Sequence, residues 1–408
     1  MKRTFNALLL CALTLPASAR DTATAIFEPT FKSLQVLDST NRLGQPIIRA
    51  NNNASAITVS FDELAEDNRY LRYRLVHCNS DWQPSALTDS EYINGFNEAQ
   101  ITDYALSDHP LTHYVHYSLT IPNPDMQPLV SGNYLIEVFD EYDPDKVLLQ
   151  ARFMVDEGAA GLDMAVTSRT DYDYNSRHQQ LSVRADLKGA RVENPYNDLK
   201  LVIVKNGRDN TRRVLKHPLS VQSETAVYEH QRELIFPAGN EFRLFDLANL
   251  DYQGMGVESV SYTHPTYGAM LTVDYPRADS RYTYDQDQAG RYFPATIHYD
   301  DPDINAEYVE TYFTLESPQL PTDVFIDGDL IIGENPKMAY DESLGAYVKV
   351  LLLKQGMYNY QYITSSPENP IEGDHYETGN EYLALLYYCP PTARYDRLIA
   401  TDIIFSGK

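Results

Sequence analysis

Cysteine, tryptophan, positive charge and long apolar runs are all scarce in this 408-residue chain, and each scarcity excludes something. The three cysteines are too few for a disulfide-stapled scaffold. Cys78 and Cys389 each end an apolar strand pattern, where a buried thiol is the ordinary reading and a single long-range bridge the alternative. Lys and Arg number 33 against 58 Asp and Glu, for a net charge of −25. A surface this acidic repels phosphate backbones and anionic lipid, which removes nucleic acid from the partner classes. Beyond the N-terminus no segment nears the ~18 consecutive apolar residues of a membrane-crossing helix, and no long stretch keeps a helical hydrophobic period. The patterns G-x-S-x-G, G-x-x-x-x-G-K-[ST] and H-E-x-x-H are missing, so the nucleophile, phosphate-loop and metalloprotease classes lack support. Gly254-Met255-Gly256 has no third glycine and no helix after it, and reads as a turn.

What is present begins with a leader. Lys2 and Arg3, the apolar run Phe5–Leu15 and the small residues Ala17-Ser18-Ala19 have the layout of a signal peptide over residues 1–19. Cys11 sits inside that run behind Leu10, the wrong place for a lipid-attachment cysteine. Cleavage removes Lys2 and Arg3 and no acid, taking the basic total from 33 to 31. The expected product is exported and unanchored. The rest is tyrosine-rich, with 32 Tyr, and short alternating runs stand between Gly- and Pro-containing turns. That pattern predicts an all-β chain of tandem immunoglobulin-like β-sandwich domains. The first set of runs covers 57–61, 71–77, 113–121, 133–139 and 147–155, and the flexible segment Asp156–Asp163 follows as a linker. A second set covers 199–204, 234–237 and 242–247. Turn-rich Pro276–Gly290 separates it from a third, over 295–299, 307–315, 323–326, 347–353, 358–363, 382–388 and 394–405. Three domains are expected, at residues 20–158, 159–280 and 281–408.

The densest stretch is Tyr73–Gly95, which holds the one tryptophan, Trp82. Leu71, Tyr73, Leu75 and His77 share one strand face; Arg72, Arg74 and Val76 share the other. Asn79-Ser80-Asp81 then turns the chain. Trp82 is expected to fold back over the first sandwich core with His77 and Cys78 beside it, an exposed docking role being the alternative. His77 and Cys78 are strand neighbours on opposite faces, so they make no catalytic pair. His113 and His116 likewise face apart, and Pro110 prevents a helix that would align His109, so these three are not read as a zinc site. Asp300, Asp301, Asp303 and Glu307 lack the ligand order of a calcium loop and read as a solvated turn. Arg243 reads as partly buried and paired with Glu241 or Asp246. No feature selects a catalytic carboxylate pair, and no cofactor or metal is expected.

Two resemblances sharpen this. The segment around Asp327-Gly328-Asp329, Met338-Ala339-Tyr340-Asp341, Tyr347 and Leu353–Tyr358 resembles starch-binding-like sandwich modules. Those modules grip sugar with exposed tryptophans, which this region lacks; Tyr358, Tyr360 and Tyr362 share a face that reads as core before it reads as a sugar platform. Across the whole mature chain, Tyr73–Cys78 with Asp81-Trp82, Glu91–Phe96, Tyr114–Tyr117, Ser131–Tyr134, Gly239–Arg243 and Leu353–Tyr362 resemble the plug protein of the type IX secretion system. That resemblance implies a periplasmic, non-enzymatic protein resting on the periplasmic mouth of a large outer-membrane β-barrel translocon and closing it. It marks His77, Cys78, Trp82, Tyr117, Asn240, Glu241, Phe242 and Arg243 as signature positions, structural or docking. The alternative is a periplasmic glycan-binding or glycan-processing protein built on the third domain.

Overall fold

The computed structural model describes residues 22–366 and 368–407. The leader expected at residues 1–19, with Cys11, lies outside the described residues. Within them the fold is all-β, strands joined by turns and single-turn helices.

Alternation builds the first sandwich as expected. In strand Leu71–Cys78 the side chains of Leu71, Tyr73 and Leu75 are fully buried, while Arg72, Arg74 and Val76 on the other face are half-exposed. That strand lies in a six-stranded sheet beside Gly132–Asp140, which pairs in turn with the long strand Asp143–Asp156. A four-stranded sheet of Phe31–Asp38, Ile57–Glu63, Val115–Ile121 and Asp103–Leu106 faces it. Phe61, Leu75, Tyr117, Tyr134 and Phe153 fill the space between.

The expected division at 280/281 does not follow the sheets. The second sandwich sets the sheet of Gly161–Thr167, His178–Asp186, Thr225–Tyr228 and Ser220–Gln222 against one built from Arg213–Leu215, Leu199–Lys205, Glu381–Tyr388 and Arg397–Phe405. Its last two strands therefore come from the far end of the chain. The third sandwich is inserted between Pro237 and Glu381. It packs Arg243–Asp246, Gly356–Thr364 and Tyr292–Pro294 against a five-stranded sheet that includes Tyr308–Glu316 and Ala346–Lys354. The cause is visible in Glu381–Tyr388, which is buried along its whole length. A strand apolar on both faces must lie between two bodies. Tyr382, Ala384 and Leu386 enter the second core, while Leu383, Leu385 and Tyr387 cover the opposite face. Near the expected strand 295–299, pairing occurs instead at Tyr292–Pro294, where Pro294, without an N–H, ends it.

Candidate functional site at the seams between sandwiches

Trp82 does not fold onto the first core. It joins Ile47, Cys78, Leu135 and Met154 on the outer face of the first sandwich, and together they meet Val202, Leu383, Leu385, Tyr387 and Leu398 of the second. The turn that aims it is tight: the Trp82 N–H donates to Asn79 O at 2.9 Å. Its φ is +65°, a left-handed conformation costly for a residue with a Cβ. The Arg152 guanidinium lies 4.3 Å from the ring centroid, a cation–π contact strengthened by burial. Around this apolar seam runs a polar margin. Ser80 Oγ and Lys200 Nζ donate to Asp396 Oδ2 at 2.5 and 3.1 Å, and Tyr387 Oη donates to Asn133 Oδ1 at 2.7 Å. No disulfide joins Cys78 to Cys389.

His77 sits on the other side of its strand, inside the first sandwich among the rings of Tyr92, Tyr134 and Tyr395. Its Nε2 is 3.2 Å from the Ser131 carbonyl and its Nδ1 2.8 Å from Ser85 Oγ. A carbonyl only accepts, so Nε2 carries the proton and Ser85 donates to Nδ1. Burial pushes the imidazole down to about 4, against the Ser131 hydrogen bond, so it is neutral at pH 7. Gly132 permits this approach: at φ +137° a Cβ there would lie 2.6 Å from His77 Nε2. Tyr117 is also interior, its hydroxyl accepting from the Arg69 N–H at 2.8 Å.

The first and third sandwiches are joined by a buried ion pair. Lys354, at the end of Ala346–Lys354, donates to Asp62 Oδ2 at 2.6 Å, and both side chains are 1% exposed. Tyr308 Oη donates to the same oxygen at 2.7 Å, and His116 Nδ1 lies 2.7 Å from Asp62 Oδ1. The ammonium also caps the Tyr114 ring at 4.2 Å. Burial alone would raise the Asp62 carboxyl, but Lys354 and His116 outweigh it and hold the group below the usual carboxylate value. Glu307 leaves the acidic turn expected of it. It is buried, and its carboxylate accepts from the N–H groups of Leu111 and Thr112 in the first sandwich. His109 and His113 diverge, to Asn305 and Glu66.

The remaining signature positions lie where the chain enters the third sandwich. Asn240 Nδ2 donates to Glu372 O at 2.9 Å. Glu241 accepts from Tyr282 Oη at 2.5 Å and the Gly379 N–H at 3.0 Å, and burial pushes its carboxyl up against those bonds. Phe242 is buried and its N–H donates to Asp287. Arg243 pairs with neither Glu241 nor Asp246. Its partners are Asp274 at 2.6 Å and the fully buried Glu372 at 3.0 Å, distant in sequence and brought together inside the third sandwich. Arg277 supplies the second cation at Glu372, 2.5 Å away. Tyr360 and Tyr362 donate to Asp274 Oδ2 at 2.6 and 2.8 Å, and Tyr358 stacks between Phe245 and Tyr292. That face is core, with no platform left for sugar.

All three bodies meet at Glu381. This residue of the second sandwich accepts from Gln45 of the first and, at 3.0 Å to each oxygen, from Arg291 Nη2 of the third. Beside it opens a cavity of about 450 Å³, walled by residues of all three, Trp82, Arg152, Leu385 and Phe293 among them. Sequence reasoning missed Asp62, Glu372, Glu381 and Lys354 as seam residues. The one available signal was charge at the margin of apolar strands, as in Leu351-Leu352-Leu353-Lys354.

Residues 31–157 match the family model described as Type 9 secretion system plug protein 1st domain. The chain is similar to the crystal structure, at 2.30 Å resolution, of a hypothetical protein from Parabacteroides merdae ATCC 43184. Identity is 37% and the TM-score 0.92, with 94% of this chain and 99% of that one covered. Two structures of alpha-2-macroglobulin from Escherichia coli, the native conformation and the form activated by porcine elastase, align at 10% identity. Their TM-scores of 0.18 and 0.17, over 97% and 92% of this chain and 24% and 31% of those, carry no argument. No curated protein matches the chain.

Proposed function

The chain belongs to the family of type 9 secretion system plug proteins, and we propose that it acts as a non-enzymatic periplasmic obstruction, docking on the periplasmic opening of a large outer-membrane β-barrel translocon and occluding it. The supporting observation is the construction of the seams. Blocking a wide pore asks for a stiff body rather than a reactive pocket, and close-packed cores resist deformation. Here three such cores are tied by an apolar seam around Trp82, the buried Asp62–Lys354 pair and the Arg291–Glu381 pair. The family is a secretion-system plug domain and not an enzyme family, and among the described residues no helix is long and apolar enough to cross a membrane. The acidic surface suits a neutral or basic docking face. Exposed tyrosines such as Tyr142, Tyr172 and Tyr252 are available as anchors.

Deleting the gene is expected to leave the outer membrane leaky to large solutes while secretion largely continues, and affinity capture from detergent-solubilised outer membrane should recover one very large barrel protein. Unchanged permeability on deletion refutes the obstruction role.

A further inference from the structure

The cavity at the three-way junction has the size, and the position between domains, typical of small-molecule sites. Its apolar wall joins Leu34 and Met154 from the first sandwich, Leu383 and Leu385 from the second and Ile332 from the third, with the rings of Trp82, Tyr292, Phe293 and Tyr387. Four arginines also line it, Arg152, Arg208, Arg212 and Arg291, against three aspartates, Asp209, Asp327 and Asp329, in a chain where acids outnumber bases 58 to 33. Three of them have carboxylate partners: Arg152 has Asp209 at 2.5 Å, Arg208 has Asp329 at 2.8 Å, and Arg291 has Glu381 at 3.0 Å. Arg212 differs. It donates to the Ser80 carbonyl at 2.6 Å and, among the described residues, has no carboxylate within ion-pair distance.

We propose that this cavity binds an amphipathic carboxylate, its apolar body against the apolar wall and its single negative charge at Arg212. Because the wall comes from all three sandwiches, occupation stiffens their relative arrangement. The inference does not rest on the obstruction role, and a negative permeability result leaves it standing.

Trp82 is the sole tryptophan and lines the cavity, so its emission reports occupation directly. Titration of the full chain with dodecanoate is expected to give a saturable fluorescence change. Arg212→Gln should weaken it about tenfold or more with unchanged far-UV circular dichroism. Dodecyltrimethylammonium, with the same chain and the opposite charge, should fail to compete, a control that needs no variant. A short apolar peptide tested with a free and with an amidated C-terminus separates the sources. Displacement of dodecanoate by the free acid alone assigns the site to a polypeptide end, and no displacement assigns it to a lipid-derived acid. No saturable response to either acid, equal binding of the ammonium, or undiminished binding by a folded Arg212→Gln chain overturns the proposal.

Discussion

Replacing Lys354 by Met tests whether the seams are held by buried charge. The Asp62–Lys354 pair is 2.6 Å apart and both side chains are 1% exposed, so solvent screens it little. Loss of the ammonium leaves the Asp62 carboxylate with Tyr308 Oη and His116 as its remaining partners. Removing one member of a buried pair typically costs about 3–5 kcal/mol, because the survivor stays desolvated, whereas replacing both members is often close to neutral. The expected pattern is thus a large loss for Lys354→Met, a large loss for Asp62→Asn, and a double variant less destabilised than the sum by at least about 1 kcal/mol. The exposed pair Lys146–Glu28, at 2.8 Å with Lys146 56% exposed, is the internal control, worth about 0–1 kcal/mol. Urea unfolding followed by circular dichroism, with limited proteolysis at the first–third seam, supplies the measurement. A Lys354→Met chain no less stable than Lys146→Ala, or strict additivity in the double variant, refutes the reasoning.

Three further outcomes are expected. Trp82→Ala should cost about 3–5 kcal/mol and open the first–second seam to protease, measured by melting and by cleavage within residues 157–163; an unchanged cleavage rate would count against a seam role. Burial holds His77 at about 4, below the ordinary 6.5 of a histidine, so the unfolded chain binds its proton first. Its contribution is complete above pH 6.5 and is lost as pH falls toward 4, by up to about 3 kcal/mol; a stability–pH curve identical in His77→Gln would contradict this. Arg243→Lys should loosen the third sandwich, because an ammonium cannot reproduce the fork that reaches both Asp274 and Glu372, and hydrogen exchange in Gly356–Thr364 would show it.

Most of the local structure was legible from alternation. The faces of Leu71–Cys78 came out as the pattern required, because a half-buried strand writes its two environments into odd and even positions. The order of the bodies was not legible. Nothing local in Glu381–Tyr388 says which earlier strand it will join, only that both its faces will be covered. Trp82 shows the same limit: its neighbours announce a turn, but whether the ring falls inward or across depends on a second body whose strands lie at the far end of the chain. Arg243 was readable as a buried cation and not as the partner of Glu372, since the pairing exists only once the third sandwich closes. The signature positions sort into interior, seam and third-sandwich entry only in three dimensions.

The inserted arrangement has a consequence for how the molecule comes to exist. Half of the sheet that closes the second core is supplied by Glu381–Tyr388 and Arg397–Phe405, so that body stays open until nearly the whole polypeptide has been delivered. The first and third bodies can collapse first, each from contiguous chain, and the second is sealed last. A chain cut short before residue 381 would then lose more than a tail. It would leave two folded ends with greasy, unmatched flanks, and proteolysis would find the gap between them.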